Sequence, residues 1–302
     1  MSEPAPLAVP APETGRSMPQ FFLGVGAQKA GTTWLGDYFA RHPEVYFSPI
    51  KELHFFDAMH VPKCRGWNRR METKLQELQS KRSKRRRAQP VAKRQDEVYR
   101  GLLMRVAMPQ NHLLYREYFL TRLNGEKAFG EISPSYALLP RSGYLEILEL
   151  FPSARFIFSM RNPVDRYWSA LRHKYRDSDG IDLHARFSEE LDDKRLHSRT
   201  DYQTTLETLY GSCDPNHIFV LFYEEMFGPN ARTVVKGITD FLGISFVEPD
   251  SETKVNEGIT SRPLSLDMRA EAARAFSDTY SYVAKMFKDR LPQRWLEDKN
   301  LI

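Results

Sequence analysis

Cysteine is scarce in this chain: Cys64 and Cys213 are the only two in 302 residues. They lie far apart, without metal-ligand spacing and without the density of a disulfide framework. A disulfide-stapled secreted scaffold is therefore excluded, and a reducing cytosolic compartment is expected. Long apolar runs are missing too, since no stretch approaches the roughly 20 apolar residues that span a bilayer. Residues 1–17 are rich in Pro and Ala and carry no apolar segment of the kind a secretory signal needs, so they read as a disordered tail. No internal repeat period is visible. Hydrophobic residues at 41% and charged residues at 27% are ordinary for a globular protein and exclude a disordered or collagen-like chain. We expect one domain over 18–302, interrupted by a basic insertion at about 60–111.

Acidic residues are almost absent from one part of the insertion. Between His60 and Arg100 there are 14 Lys and Arg against 4 Asp and Glu, a local charge of +10 in a chain whose total is +5. The remainder is therefore about −5, and nucleic-acid binding by the whole protein does not follow from its basic pI. Lys81–Arg94 holds eight basic residues, no acid and no aromatic ring that would stack on bases. Two readings of this run stand: a solvated charged helix and loop, or a docking surface for an anionic acceptor or carrier.

What the chain does contain is an alternation of short apolar runs and helical patterns. Gln20–Ala27 reads as a strand, and Thr32–Arg41 places Trp34, Leu35, Tyr38 and Phe39 at helical spacing. Glu44–Phe47 is a second extended segment, leading to Lys51–Asp57. Arg69–Ser80 has helical composition inside the insertion. Lys127–Pro140 reads as extended with Pro-directed turns, Tyr144–Leu150 as a short helix, and Ala154–Met160 as a buried strand. A helix follows from Val164 to about Arg176, then a strand at His217–Tyr223 and a helix at Ala231–Leu242. Alternating strands and helices predict an α/β fold with a mainly parallel central sheet flanked by helices.

The first strand–loop–helix unit, Gly24–Thr33, carries chemistry. Small residues let the backbone wrap an anion, while the helix that follows supplies free N–H groups and a positive dipole end. Lys29 adds a full charge, and Thr32 and Thr33 add hydroxyls at the first turn. The loop is P-loop-like without being a triphosphate loop, which needs Lys directly after the second glycine and then Ser or Thr for magnesium. Here Lys29 precedes Gly31 by two residues, and the strand Ala154–Met160 runs into Arg161 rather than into a metal-binding acid.

Gly26–Thr33 (GAQKAGTT) resembles the 5′-phosphosulfate loop of sulfotransferases that use 3′-phosphoadenosine 5′-phosphosulfate (PAPS), and Arg161–Ser169 (RNPVDRYWS) resembles their 3′-phosphate motif. Lys51–Phe56 (KELHFF) is similar to a KE-x-HFF sequence of the heparan-sulfate-type (N- and O-) and related bacterial sulfotransferases, and Glu131–Tyr136 (EISPSY) to the segment lining their acceptor cleft. Lys254–Pro263 resembles the loop that closes over the nucleotide, without the cysteine pair the heparan enzymes carry there. The likeness spans Phe21–Pro263 as motifs and vanishes across the basic insertion.

The resemblance implies transfer of a sulfuryl group from PAPS to a hydroxyl or amine of a carbohydrate, lipid or small metabolite, releasing 3′-phosphoadenosine 5′-phosphate, with no metal. Gln28, Lys29, Ala30, Gly31, Thr32, Thr33 and Trp34 would hold the phosphosulfate; Arg161, Ser169, Lys254 and Arg262 would hold the rest of the nucleotide. Glu52 would be the general base, Lys29 would stabilise the leaving oxygen, and Glu131, Ser133 and Tyr136 would contact the acceptor. In an extended Lys51–His54 segment, Glu52 and His54 point to one side, so His54 either orients Glu52 or is itself the base. Two other classes stay open: a nucleotide-dependent small-molecule kinase on the same architecture, which the position of Lys29 opposes, and a polyanion-binding protein centred on Lys81–Arg94.

Overall fold

A computed structural model of the chain describes residues 18–84, 92–178, 180–227, 229–249 and 263–302. Five strands, β1 (Gln20–Gly26), β2 (Val45–Phe47), β3 (Ala128–Ile132), β4 (Arg155–Met160) and β5 (Ile218–Phe222), form one sheet in the order β2-β3-β1-β4-β5. Every pairing in it is parallel. The expected α/β architecture with a parallel sheet is thus the one observed. Helices α1 (Thr32–Arg41), α2 (Phe56–His60), α3 (Trp67–Lys84), α4 (Lys93–Ala107), α5 (His112–Leu120), α6 (Arg141–Leu150) and α7 (Pro163–Lys174) make up the first part of the surround. Helices α8 to α14 follow at Phe187–Leu191, Lys194–His197, Tyr202–Tyr210, Ala231–Leu242, Leu266–Ala275, Ser277–Phe287 and Gln293–Lys299.

β1 is the central strand, and its sequence explains why. Successive residues of a strand face opposite sides of the sheet, and QFFLGVG is apolar on both sides, as a strand buried on both faces must be. Phe21, Leu23 and Val25 join a core with Phe129, Phe156 and Phe158 and with helices α5, α6, α7 and α10. Phe22 points the other way, into a core with Phe39 of α1, Ile157, and Val235 and Ile238 of α11. Gly130 lets β3 lie against β1, because a Cβ there would meet the carbonyl oxygen of Phe22 at 1.9 Å.

Because all strands run the same way, their carboxyl ends share one edge. The loops after Gly26, Phe47, Ile132 and Met160 therefore assemble at one place, beside the strand from which the chain first turns one way across the sheet and later the other.

One expectation is corrected by the fold. Lys127–Pro140 is strand only over Ala128–Ile132; a 3₁₀ turn follows at Pro134–Leu138, because the residues after β3 pack under the site instead of extending the sheet. The helical composition of Arg69–Ser80 is realised within α3, which runs against α4 as a helical pair whose root is buried through Met71, Leu75, Leu102 and Arg105. Among the described residues no helix is long and apolar enough to cross a membrane.

Candidate active site

The loop after β1 forms an anion cradle from its backbone. Gly31, at φ 82°, starts α1 in the left-handed region that glycine tolerates, and no side chain caps the helix. The first-turn N–H groups and the positive end of the helix dipole are left for a ligand. Lys29 also sits at positive φ, 70°, and its carbonyl reaches the end of β4. There Arg161 donates from Nη1 to the carbonyl of Lys29 at 3.2 Å, and its guanidinium lies 4.4 Å from the ring centre of Tyr223. Arg161 Nε is buried without a partner.

Burial, and then the charges of Arg161, Arg172, Lys51 and Arg176, push the Lys29 pKa below its ordinary value. All of those charged neighbours are cations, and among the described residues neither Lys29 nor Arg161 forms an ion pair. Like charges held this close favour an anion between them.

The 161–169 motif divides into two parts. Asn162 caps α7 by accepting from the N–H of Asp165 at 3.1 Å, and Pro163 takes the first helical position. Arg166 is fully buried and donates to Thr200 Oγ1 and the Leu196 carbonyl, both at 2.8 Å, while Asp165 pairs with Arg269 at 2.9 Å. These residues hold the helix in place. Arg161, against the Lys29 carbonyl, and the half-buried Ser169 take no part in that bracing.

The turn after β2 brings Glu52 to the cradle. Lys51 Nζ donates to Thr33 Oγ1 at 3.1 Å, tying the two loops together. Glu52 and His54 meet, with His54 Nε2 3.1 Å from Glu52 Oε2, but not through an extended segment: both are in the left-handed region, at φ 60° and 51°. Glu52, only partly exposed, faces the cavity. His54 is 2% exposed; its other nitrogen lies 2.7 Å from Asp57 Oδ2, and its ring stacks on Trp67 at 3.6 Å. Ser135 Oγ donates to the same Asp57 oxygen at 2.5 Å. Burial alone would raise the Glu52 pKa, yet hydrogen bonding to His54 and the charges of His54, Lys51 and Arg199 outweigh it and hold the carboxyl below its ordinary value. For His54 burial works downward, and Asp57 and Glu52 together raise it above its ordinary value.

Strained turns persist only when their surroundings over-determine them. Arg105 of α4, fully buried, donates to the carbonyls of Leu53 at 2.6 Å and His54 at 2.9 Å and to Asn68 Oδ1 at 2.8 Å. From below, Ser133 Oγ accepts from the His54 N–H at 3.2 Å, and Tyr136 OH from the Phe55 N–H at 3.1 Å.

Glu131, Ser133 and Tyr136, expected to line an acceptor cleft, lie buried beneath the Glu52 turn. Glu131 accepts from Tyr115 OH at 3.0 Å, Tyr136 OH at 2.6 Å, Ser133 Oγ at 2.7 Å and the Leu53 N–H at 3.1 Å. All three are 0% exposed, and their polar atoms brace the Glu52 turn. Trp34 is likewise a core side chain, 7% exposed and packed against Tyr38 and Phe227, which leaves its backbone N–H for the cradle. Ala30 is buried, with its carbonyl held by Ser159 Oγ at 2.6 Å; Gln28, Thr32 and Thr33 are half-buried at the loop surface. Lys254 and Arg262, and residues 85–91 of the basic run, lie outside the described residues.

Sequence reasoning missed Asp57, Trp67, Arg105 and Ser135. Asp57 sits one helical turn from His54 in the same motif, which was a readable signal; Trp67 and Arg105 come from the divergent insertion, and only folding brings them to His54. Beside Glu52 opens a cavity of about 720 Å³ walled by Thr32, Thr33, Lys51, Lys93, Arg94 and Glu97.

A sulfotransferase from Alicyclobacillus acidocaldarius shares this fold, with a TM-score of 0.64 at 23% identity over 93% of this chain and 100% of its own. The sulfotransferase domain of the Synechococcus PCC 7002 olefin synthase aligns over 93% of this chain and 98% of its own at 17% identity, with a TM-score of 0.47. No curated protein matches the chain in sequence. The model of the sulfotransferase family matches residues 19–248, from β1 through α11, a span that contains the cradle, the Glu52 turn and the Arg161 motif together. The chain belongs to the sulfotransferase family.

Proposed function

We propose that the protein transfers a sulfuryl group from PAPS to a hydroxyl, or an amine, of a carbohydrate, lipid or small-metabolite acceptor. The observation that carries this reading is the junction of two loops: an anion cradle whose cations lack an anion, tied through Lys51 and Thr33 to a partly exposed carboxylate facing a cavity. PAPS supplies the activated sulfuryl group.

The residues divide the task. The Gly26–Thr33 backbone and Lys29 hold the phosphosulfate end, and Arg161 with Ser169 holds the 3′-phosphate. Glu52 takes the proton of the acceptor hydroxyl as that oxygen bonds to sulfur. Lys29 stabilises charge on the bridging oxygen as its bond to sulfur breaks and 3′-phosphoadenosine 5′-phosphate departs. Such transfer rests on in-line positioning and electrostatic stabilisation. His54, held by Asp57, orients Glu52; its own burial leaves Glu52 as the carboxylate facing the acceptor. An acceptor or carrier bearing negative charge would pair with Lys51 and Arg94 of the cavity wall, where Asp37 and Glu97 also stand.

The test is transfer of labelled sulfate from PAPS into an extract of candidate acceptors, with labelled ATP run in parallel. Sulfate gain without phosphate gain supports the reading; phosphate transfer alone overturns it in favour of a kinase.

A further inference from the structure

The ring of His54 is held on three sides, and each side bears on its charge. Nδ1 lies 2.7 Å from Asp57 Oδ2, and Nε2 lies 3.1 Å from Glu52 Oε2. An ionised carboxylate only accepts, so a neutral imidazole would turn the lone pair of one nitrogen against a negative oxygen. The hydroxyl of Ser135, 3.1 Å from Nδ1, does not relieve this, because its single proton goes to Asp57 Oδ2. Asp57 is 0% exposed, its Oδ1 has no partner, and among the described residues His54 is its only ion-pair partner. A carboxylate buried in this way needs a cation in contact.

The third side is an aromatic face. Trp67, the first residue of α3, stacks on the His54 ring with centres 3.6 Å apart and planes 9° from parallel. Indole is the best aromatic partner for a cation. Its place is fixed by the next residue, since Asn68 Oδ1 accepts from the same Arg105 that holds the Leu53 and His54 carbonyls. The remaining charges do not touch the ring. Lys51 and Arg199 act on Glu52, Arg199 acts on Asp57 as well, His173 of α7 is within reach of the Glu52 charge, and Arg70 lies 4.7 Å from the Trp67 ring centre. Cys64, beside Asp57, is a neutral thiol that burial pushes up to about 12.

We infer that His54 works as an imidazolium and that Trp67 is the positioning residue that keeps it one. Protonated on both nitrogens, the ring donates to Asp57 and Glu52 at once and so fixes Glu52 Oε2. Glu52 Oε1, which bonds to no described residue, is the oxygen left for the acceptor proton. Loss of the Nε2 proton turns that tether into repulsion and releases Glu52. The use of this charge in catalysis rests on the sulfuryl-transfer reading above, whereas the charge itself does not.

The charge is therefore measured separately from turnover. The ring C–H resonance of His54, identified by its absence in H54Q, is titrated by NMR in the full chain and in W67F and W67L. 3′,5′-Bisphosphate binding serves as the control for an intact fold. Wild type should titrate above the ordinary histidine value of about 6.5. W67L keeps an apolar cover but removes the π face, and should lower that pKa by roughly half to one unit, with W67F in between. A neutral ring at about pH 6 in wild type overturns the charged state. An equal pKa in wild type and W67L overturns the role of Trp67 and leaves it as apolar cover. Where W67L no longer binds the bisphosphate, W67F takes its place under the same two outcomes. In a second arm, the pH profile of sulfate transfer from PAPS is recorded. The kcat should fall on the alkaline side with the pKa of His54, and W67L should move that limb to lower pH by the same roughly half to one unit. A limb that stays in place while the His54 pKa shifts overturns the catalytic use of the charge. A His54 that titrates as expected, with no sulfate transfer to any acceptor, overturns the sulfotransferase reading and leaves the imidazolium standing.

Discussion

Glu52 and His54 touch at 3.1 Å although each occupies a left-handed backbone conformation that places neither in a strand. The contact depends on Arg105, which clamps the carbonyls of the turn from above, and on Ser133 and Tyr136, which accept its N–H groups from below. A carboxylate held this way is pre-oriented toward the cavity, and it has a tunable basicity because its partner imidazole is itself held by Asp57.

Replacing Glu52 by Gln removes the base while keeping the shape and a hydrogen bond to His54. Turnover should drop by about 10² to 10⁴, and the dissociation constant for 3′,5′-bisphosphate should stay within a factor of about two. Full activity in steady-state assays would remove Glu52 from the mechanism and leave His54 as the candidate.

The pair should also write itself into stability against pH. The His54 pKa is raised on folding, so its contribution is complete below the unfolded value of about 6.5 and fades as pH climbs through the higher folded value. The Glu52 pKa is depressed, so its contribution is present above the unfolded value of about 4.5 and fades as pH falls through the lower folded one. The Tm difference between wild type and H54Q should therefore be greatest between pH 4.5 and 6.5 and shrink on both sides. A difference that is flat across pH 4 to 9 would contradict the pairing.

Arg161 offers an unpaired Nε and a guanidinium stacked on Tyr223. Arg161→Ala should weaken 3′,5′-bisphosphate binding by about 10- to 100-fold, the range for losing charge-assisted hydrogen bonds. Binding of adenosine 5′-monophosphate should change much less. Equal losses for both nucleotides would move Arg161 away from the 3′-phosphate.

Tyr136→Phe separates bracing from substrate contact. It deletes the donor to Glu131 at 2.6 Å and the acceptor for the Phe55 N–H, both fully buried, so stability should fall by about 1 to 3 kcal/mol. If denaturation is unchanged while the acceptor KM rises, Tyr136 contacts the acceptor after all.

Much of this site was legible along the chain because its parts are local. The cradle needs only small residues, a lysine and a helix start in succession, and the Arg161 motif only a strand end and a capped helix. Asp57 falls one turn after His54 and was equally within reach. The role of Glu131 was not: a carboxylate in EISPSY reads as polar and available until β3, buried on both faces, places it under the Glu52 turn among four hydrogen bonds. Nor does a basic, polar insertion announce that it carries Arg105 and Trp67 to the Glu52–His54 turn.

The class of fold was readable along the chain, since strand burial and helix starts depend on neighbours a few residues apart. The tertiary structure alone decided which polar residues face the cavity and which brace it. A parallel sheet delivers distant segments to one edge, and only there do the buried groups find their partners.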